Sequence, residues 1–180
     1  MRTIADIDVL GDSELQRGIA RLSLVIAGAT VLLAVLLWLV LGGERVNVWW
    51  WVVLAAGSVV ALPVHEVVHA AAFKLLGAGG RVSFGFQDAF LYTKTDGAVL
   101  SRARMVAVLL APAVLVTAAL ASAALAAGRP VLAALLAGIH LSGCAGDMLM
   151  AAACLQEPAC THVRDTETGI TLLSNRKGVE

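Results

Sequence analysis

Residues 64–74 read VHEVVHAAAFK and contain the pattern His-Glu-X-X-His within an otherwise apolar stretch. On an α-helix His65 and His69 lie one turn apart on the same face, so both imidazoles can reach one metal ion. Neutral imidazole nitrogens bind Zn²⁺, and the ion makes a bound water more acidic, so that a nearby carboxylate can take its proton. The pattern therefore predicts His65 and His69 as metal ligands and Glu66 as the general base.

The composition predicts a membrane protein. Hydrophobic residues make up 59% of the 180 residues and charged residues 14%, and the mean hydropathy is +0.87, whereas an average soluble domain has about 25% charged residues. Thirteen Lys and Arg balance thirteen Asp and Glu, so the net charge gives no support for a nucleic-acid partner. An odd number of cysteines does not suggest a disulfide framework, and we expect free thiols. These are Cys144, Cys154 and Cys160.

Four stretches are long and apolar enough to cross a hydrocarbon core of about 30 Å as helices. We predict spans at about 22–41, 49–76, 105–127 and 131–155. The first stretch lacks a small-residue cleavage site and has full spanning length, which indicates a retained helix and not a removed signal peptide. The predicted fold class is an all-α membrane protein, a bundle of four transmembrane helices, with residues 22–155 as a single membrane-embedded domain.

The predicted topology places both ends of the chain in the cytoplasm, at the cell membrane. Most basic residues lie in the leader (1–21), in the tail (156–180) or in the connection between the second and third spans. The positive-inside rule assigns these segments to the cytoplasmic side. In the connection, apolar and polar residues alternate within 81–93, which predicts a short cytoplasmic β-hairpin between helices 2 and 3.

Ionisable side chains inside the predicted spans are costly in lipid, so they indicate function. The acidic ones are Glu66 and Asp147, and the histidines are His65, His69 and His140. His65 and Asp147 each lie sixteen residues from the outer end of their span, a depth of about 24 Å. We therefore predict Asp147 as the third metal ligand, which leaves a fourth tetrahedral position for water as in catalytic zinc sites. Zn²⁺ would also neutralise the two carboxylates.

Two neighbours of Asp147 in the sequence leave the ligand set open. His140 precedes it by seven residues and is expected about 10 Å nearer the outside. A place beside the ligands or in the access path is favoured over a place on the metal, which stays the alternative. Cys144 lies one turn from Asp147 and is another possible ligand, although thiols in apolar helices are more often packing residues. A protonated His69 paired with Asp147 would explain the same polar groups without a metal.

Small residues and prolines in the spans predict local features of the bundle. Gly138, Gly143 and Gly146 are expected to permit close packing between helices. Pro63 and Pro112 cannot donate a backbone hydrogen bond, and we expect each to bend its helix.

Taken together, the motifs resemble those of the small bacterial zincin membrane peptidases and, more distantly, those of the site-two proteases. The similar features occur in the same order and are HEVVHAAAFKLLG (65–77), RVSFGF (81–86), Ala111-Pro112, HLSGCAGDMLM (140–150) and DTETG (165–169). The resemblance implies zinc held by His65, His69 and Asp147, with Glu66 as the catalytic base. Site-two proteases carry their aspartate in a Leu-Asp-Gly motif, whereas this chain has Gly146-Asp147-Met148.

The predicted function is a zinc-dependent intramembrane or juxtamembrane protease, with Zn²⁺ as cofactor, a membrane protein or membrane peptide as substrate, and the lipid bilayer as its surroundings. The alternative is a non-hydrolytic membrane protein that binds or transports a metal with the same polar cluster, which His140 and Cys144 would extend outward. A transport path needs polar residues towards both sides, and residues 52–62 are almost wholly apolar. A catalytically inactive scaffold has no support, because all the expected catalytic groups are present.

Overall fold

The computed structural model describes residues 1–77, 82–87, 90–95 and 97–175, which form five helices and six strands. In chain order these are β1 (Arg2–Asp8), α1 (Ser13–Val40), α2 (Val48–Leu75), β2 (Val82–Gln87), β3 (Phe90–Thr95), β4 (Val99–Ser101), α3 (Arg102–Ala126), α4 (Pro130–Gly143), α5 (Ala145–Gln156), β5 (His162–Asp165) and β6 (Gly169–Ser174). Within this part of the chain α1, α2 and α3 are long and apolar enough to cross a membrane, and α4 with α5 adds a fourth span if the two count as one. The chain is a mostly helical, multi-pass membrane protein.

The helices pack as a bundle in which α1 contacts α4, α4 contacts α3, and α3 contacts α2. Large apolar side chains on α1 and α2 point outward, for example Leu39 and Val59, which are 70% and 65% exposed. Such a surface is stable in lipid and not in water. Both α2 and α3 continue as single helices through their internal prolines, Pro63 and Pro112.

The fourth predicted span is not one continuous helix. The chain bends by 57° between α4 and α5, and Cys144 lies at the break, where its N–H bonds to the carbonyl of Leu141. Residues 131–155 contain no proline, so composition alone does not indicate the break. The new helix start places Asp147 in the first turn of α5.

A four-stranded antiparallel sheet corrects the all-α prediction. Its strand order is β1-β6-β5-β4, so the first described strand pairs with the last, for example Ala5 with Leu172. β4 leads directly into α3, and α5 is followed by β5. Both ends of the described chain therefore lie at the same end of the bundle, in one sheet.

A second antiparallel sheet consists of β2 and β3, which follow α2 in the chain and pair from Val82 with Thr95 to Gln87 with Phe90. Residues 81, 88 and 89 of the predicted hairpin lie outside the described residues. β3 packs on α2, where the hydroxyl of Thr93 donates to the backbone carbonyl of Glu66 at 2.9 Å. The side of the membrane on which this hairpin lies stays a prediction.

Close packing between α1 and α4 depends on Gly138. A Cβ atom at this position would overlap the side chain of Thr30, which is buried on α1. A Cβ at Gly143 would meet nothing within 4 Å, and one at Gly146 would reach Ile19 at 3.8 Å. Of the three glycines predicted to permit close packing, Gly138 is the one whose lack of a side chain the packing requires.

Candidate metal centre

Helix α2 presents His65 and His69 on one face, as the four-residue spacing requires. Their Nε2 atoms lie 3.0 Å apart, and the ring centroids are 4.7 Å apart. His69 is buried and His65 partly buried. Burying polar nitrogen atoms in an apolar bundle is costly unless they have a polar partner. The two Nε2 atoms, which point towards each other, therefore need a partner that both can reach.

Asp147 supplies that partner from the first turn of α5. Its Oδ2 lies 3.2 Å from His65 Nε2 and its Oδ1 lies 3.6 Å from His69 Nε2. The ligand atoms of the three residues all lie within 4.8 Å of one another. The structure thus brings together the three residues that the sequence predicted as ligands, although His69 and Asp147 are 78 positions apart in the chain.

The second nitrogen of His69 bonds to a carbonyl that α3 leaves free. His69 Nδ1 lies 3.1 Å from the backbone oxygen of Val108. In a helix this oxygen would accept from the N–H four residues later, but that residue is Pro112, which has none. A protonated Nδ1 that donates to Val108 leaves the lone pair on Nε2, on the side of Asp147.

The second nitrogen of His65 faces His140. His65 Nδ1 lies 3.3 Å from His140 Nε2, and His140 Nδ1 lies 2.8 Å from the hydroxyl of Thr117. The contact shows that the His140 side chain reaches a predicted ligand, His65, although the two lie on different helices, α4 and α2. His140 lies beside the ligands, as predicted, and orients His65. No sequence pattern singled out Thr117.

Glu66 lines the same cavity as the ligands. The cavity has a volume of about 580 Å³, and His65, Glu66, His69 and Asp147 all line it. Its other walls come from the segment between β1 and α1 and from the turn between β5 and β6. A carboxylate that lines the same cavity as two imidazoles meets one requirement of a general base, access to the site of reaction.

Asp165 is a second carboxylate on the cavity wall, at the end of β5 and outside the membrane-spanning helices. Its Oδ2 accepts from the backbone N–H and from the hydroxyl of Thr95, both at 2.7 Å. Burial raises the pKa of Asp165 above its ordinary value, and the two bonds from Thr95 oppose this rise. The sequence had given this residue no role.

The donor set fits a zinc ion. Two imidazoles and one carboxylate are a common ligand set of catalytic zinc sites, and the second nitrogen of each imidazole is bonded, as is usual for metal-bound histidine. Tetrahedral bonds of about 2.0 Å place ligand atoms about 3.3 Å apart. The two Nε2 atoms here are 3.0 Å apart, and Asp147 approaches His65 through Oδ2 at 3.2 Å and His69 through Oδ1 at 3.6 Å. Cys144 Sγ lies away from this point, 3.7 Å from His65 Nδ1.

A helical membrane bundle that holds this donor set supports a metallopeptidase as the class of the protein. A family model described as "Putative zincin peptidase" matches residues 58–162, more than half of the chain, and the chain belongs to this family. The match confirms the resemblance inferred from the motifs, and its range contains His65, Glu66, His69 and Asp147. The comparisons with curated proteins and with solved structures found no match.

Proposed function

We propose that this protein is a zinc-dependent intramembrane or juxtamembrane protease that hydrolyses peptide bonds of membrane proteins. His65, His69 and Asp147 hold the ion, and Glu66 acts as the general base. The observation that carries the proposal is the convergence of two Nε2 atoms and one carboxylate on the wall of the cavity that Glu66 also lines. A zinc ion supplies, when bound, a Lewis acid that polarises a carbonyl and acidifies water.

Groups of the protein itself transfer the protons and hold the ligand side chains in position. Glu66 takes a proton from the attacking water, whose oxygen forms a bond to the carbonyl carbon, and returns a proton to the amine nitrogen as the C–N bond breaks. Val108 and His140 hold the imidazole rings in place through their second nitrogens. The apolar wall of the cavity, which includes Phe73 and Leu109, limits the access of bulk water and so strengthens these interactions.

The substrate enters from the end of the bundle where the sheets lie, which we assign to the cytoplasm. The distribution of basic residues supports this side, and the cavity is walled there by the turn between β5 and β6. A substrate helix must be extended before its peptide bond can be attacked. β3 lies against α2 at Glu66, so an extended segment that pairs with an edge of the β2–β3 sheet would pass close to the base.

The test separates the role of Glu66 from the roles of the ligands. The Glu66→Gln variant should retain zinc while kcat for cleavage of membrane peptides falls by about 10²–10⁴-fold, because only the proton acceptor is lost. The Asp147→Ala variant should lose zinc as well as activity, because two imidazoles remain. The measurements are zinc content of the detergent-purified protein and cleavage of a panel of membrane peptides.

The matched control is Glu14→Gln, an identical substitution at an exposed residue of α1 that bonds to Arg17 on the surface. This variant should have wild-type activity and zinc content. If Glu66→Gln cleaves as fast as Glu14→Gln, Glu66 is not the base. If Asp147→Ala retains a full equivalent of zinc, the proposed ligand set is wrong.

A further inference from the structure

We propose that Thr117 is a positioning residue of the metal centre, which acts through His140 to keep the lone pair of His65 on Nε2. That nitrogen faces the other two proposed ligands, His69 and Asp147. The inference deepens the proposed function, since it rests on His65 as a zinc ligand. It concerns which nitrogen of each ring carries a proton, so it can be tested without a cleavage assay.

Two consecutive hydrogen bonds connect His65 to Thr117. His65 Nδ1 lies 3.3 Å from His140 Nε2, and His140 Nδ1 lies 2.8 Å from the hydroxyl oxygen of Thr117. A neutral imidazole carries one N–H and one lone pair. For Nε2 of His65 to bind a metal, its proton must lie on Nδ1, which then donates to the lone pair of His140 Nε2. The proton of His140 must in turn lie on Nδ1, where it donates to the Thr117 oxygen.

Cys144 is a second neighbour of both rings, and it does not replace either bond. Its sulfur lies 3.7 Å from His65 Nδ1, and sulfur is a weaker acceptor than the ring nitrogen of His140. The same sulfur lies 3.8 Å from His140 Nδ1 and 3.9 Å from His140 Nε2. An acceptor in line with one N–H would lie much closer to that nitrogen than to the other. Thr117 is therefore the acceptor for His140 Nδ1–H in the described part of the chain.

The hydroxyl of Thr117 is directed between helices. In α1 and α2 the hydroxyls of Thr30 and Ser58 each donate to the carbonyl four residues earlier, at 2.8 Å, as hydroxyls within helices often do. The hydroxyl of Thr117 instead reaches from α3 to His140 on α4. A hydroxyl within an apolar span that contacts the ring beside a proposed ligand is a functional candidate, because polar groups are costly there.

Removal of this hydroxyl should weaken the metal centre. His140 is 7% exposed, so a Nδ1–H without an acceptor would be buried at a cost. The other tautomer of His140 would place its proton on Nε2, against the proton on His65 Nδ1. Either arrangement opposes the tautomer of His65 that leaves Nε2 free for a metal.

The first test compares the zinc Kd of full-length variants in detergent, measured by competition with a chromophoric chelator. Thr117→Val keeps nearly the same shape without the hydroxyl, and we expect the Kd to rise about 10–100-fold, as for other lost outer partners. Thr117→Ser keeps the hydroxyl and should have a Kd near that of the wild type. The matched control is Ser122→Ala, which removes an exposed hydroxyl from the same helix and should leave the Kd unchanged.

The second test locates the protons by NMR of the zinc-loaded chain with isotopically labelled histidine, and His140→Gln identifies the signals of that ring. We expect the proton of His140 on Nδ1 in the wild type and in Thr117→Ser. The tautomer with the proton on Nε2 should appear in Thr117→Val. A general loss of packing would lower the affinity without moving this proton, so the readout is specific for positioning.

An unchanged Kd in Thr117→Val would overturn the role of Thr117, as would equal losses in Thr117→Ser and Thr117→Val. A proton on His140 Nε2 in the zinc-loaded wild type would also overturn it, and this measurement does not depend on the folding of any variant. Wild-type protein that binds no zinc would overturn both proposals. Zinc binding without cleavage of membrane peptides would overturn the protease proposal alone.

Discussion

Pro112 leaves the carbonyl oxygen of Val108 without a helical donor, and His69 of the candidate metal centre contacts this oxygen at 3.1 Å. The Pro112→Ala variant supplies an N–H that competes with His69 Nδ1 for this oxygen. We expect the fold to be kept and the zinc Kd to rise about 10–100-fold, the usual effect of losing an outer hydrogen-bond partner. The Kd is measured by competition with a chromophoric chelator.

Pro63→Ala is the matched control, because it is also a proline inside a helix of the bundle. The carbonyl that Pro63 leaves free belongs to Val59, whose side chain is 65% exposed and whose backbone contacts no imidazole among the described bonds. The zinc Kd of this variant should stay near that of the wild type. An equal effect of both substitutions would show that Pro112 acts on the helix as a whole and not through His69.

Asp165 makes the stability of the protein depend on pH. Burial raises its pKa in the folded state above the 3.8 of an ordinary aspartate, so the folded state binds more protons than the unfolded state in the pH range just above that value. The free energy of unfolding therefore falls as pH rises through this range. Asp165→Asn keeps an oxygen acceptor for Thr95 and removes the charge. The free energy of unfolding of this variant should therefore not show the fall with rising pH that Asp165 causes.

Thermal unfolding in detergent, at several pH values from about 4 to about 7, measures the difference in stability between the wild type and Asp165→Asn. We expect the wild type to lose stability relative to the variant as pH rises. The exposed Asp12→Asn is unsuitable as a control because Asp12 caps α1, so Asp6→Asn on β1 serves instead. A constant difference across the range would contradict a raised pKa at Asp165.

At the scale of the elements, the contact between α1 and α4 should be sensitive to added volume at Gly138. Gly138→Ala places a methyl group against Thr30, and we expect a loss of about 1–3 kcal/mol in the free energy of unfolding from overpacking. Gly28→Ala in α1 is the control, because a Cβ there meets nothing within 4 Å. Gly28→Ala should be neutral or stabilising by up to about 1 kcal/mol. Unfolding in mixed micelles distinguishes the two variants, and equal stabilities would contradict the close packing.

The elements that the sequence predicted are those defined by local patterns. α2 runs from Val48 to Leu75, close to the predicted 49–76, because a long apolar run is sufficient to indicate a span. The break at Cys144 was not predicted, since the residues around it are as apolar as those of a continuous helix. β1 was not predicted either. Its partner, β6, lies more than 160 residues away, and no local sequence pattern indicates pairing between such distant strands.

For the site, the equal depth of His65 and Asp147 could be predicted by counting residues from the outer boundary, and the 3.2 Å between them confirms that they are neighbours. The contact between His65 and His140 could not, because it depends on the packing of α2 against α4. The contact between His69 and Val108 needed the packing of α2 on α3. Sequence thus indicated which residues meet, and the structure added what orients them.

At the scale of the whole molecule, the sheet that joins β1 to β6 requires both ends of the described chain to lie on one side of the membrane. Single cysteines at Thr3 and Asn175, both exposed, should react alike with an impermeant thiol reagent in a background without the native cysteines. A cysteine at Val46, in the turn between α1 and α2, should react from the opposite side. Labelling of intact and lysed cells is the measurement, and we expect Val46 alone to be labelled from outside. Different sides for Thr3 and Asn175 would contradict the pairing.

The pairing of β1 with β6 also bears on how the protein is made. β1 precedes all the described helices and β6 follows them, so β1 leaves the ribosome long before its partner strand has been translated. The cavity takes part of its wall from Gly169 and Ile170 at the start of β6, which means that a nascent chain still in the insertion machinery lacks a finished cleft. The proposed peptidase activity therefore requires that synthesis has passed β6.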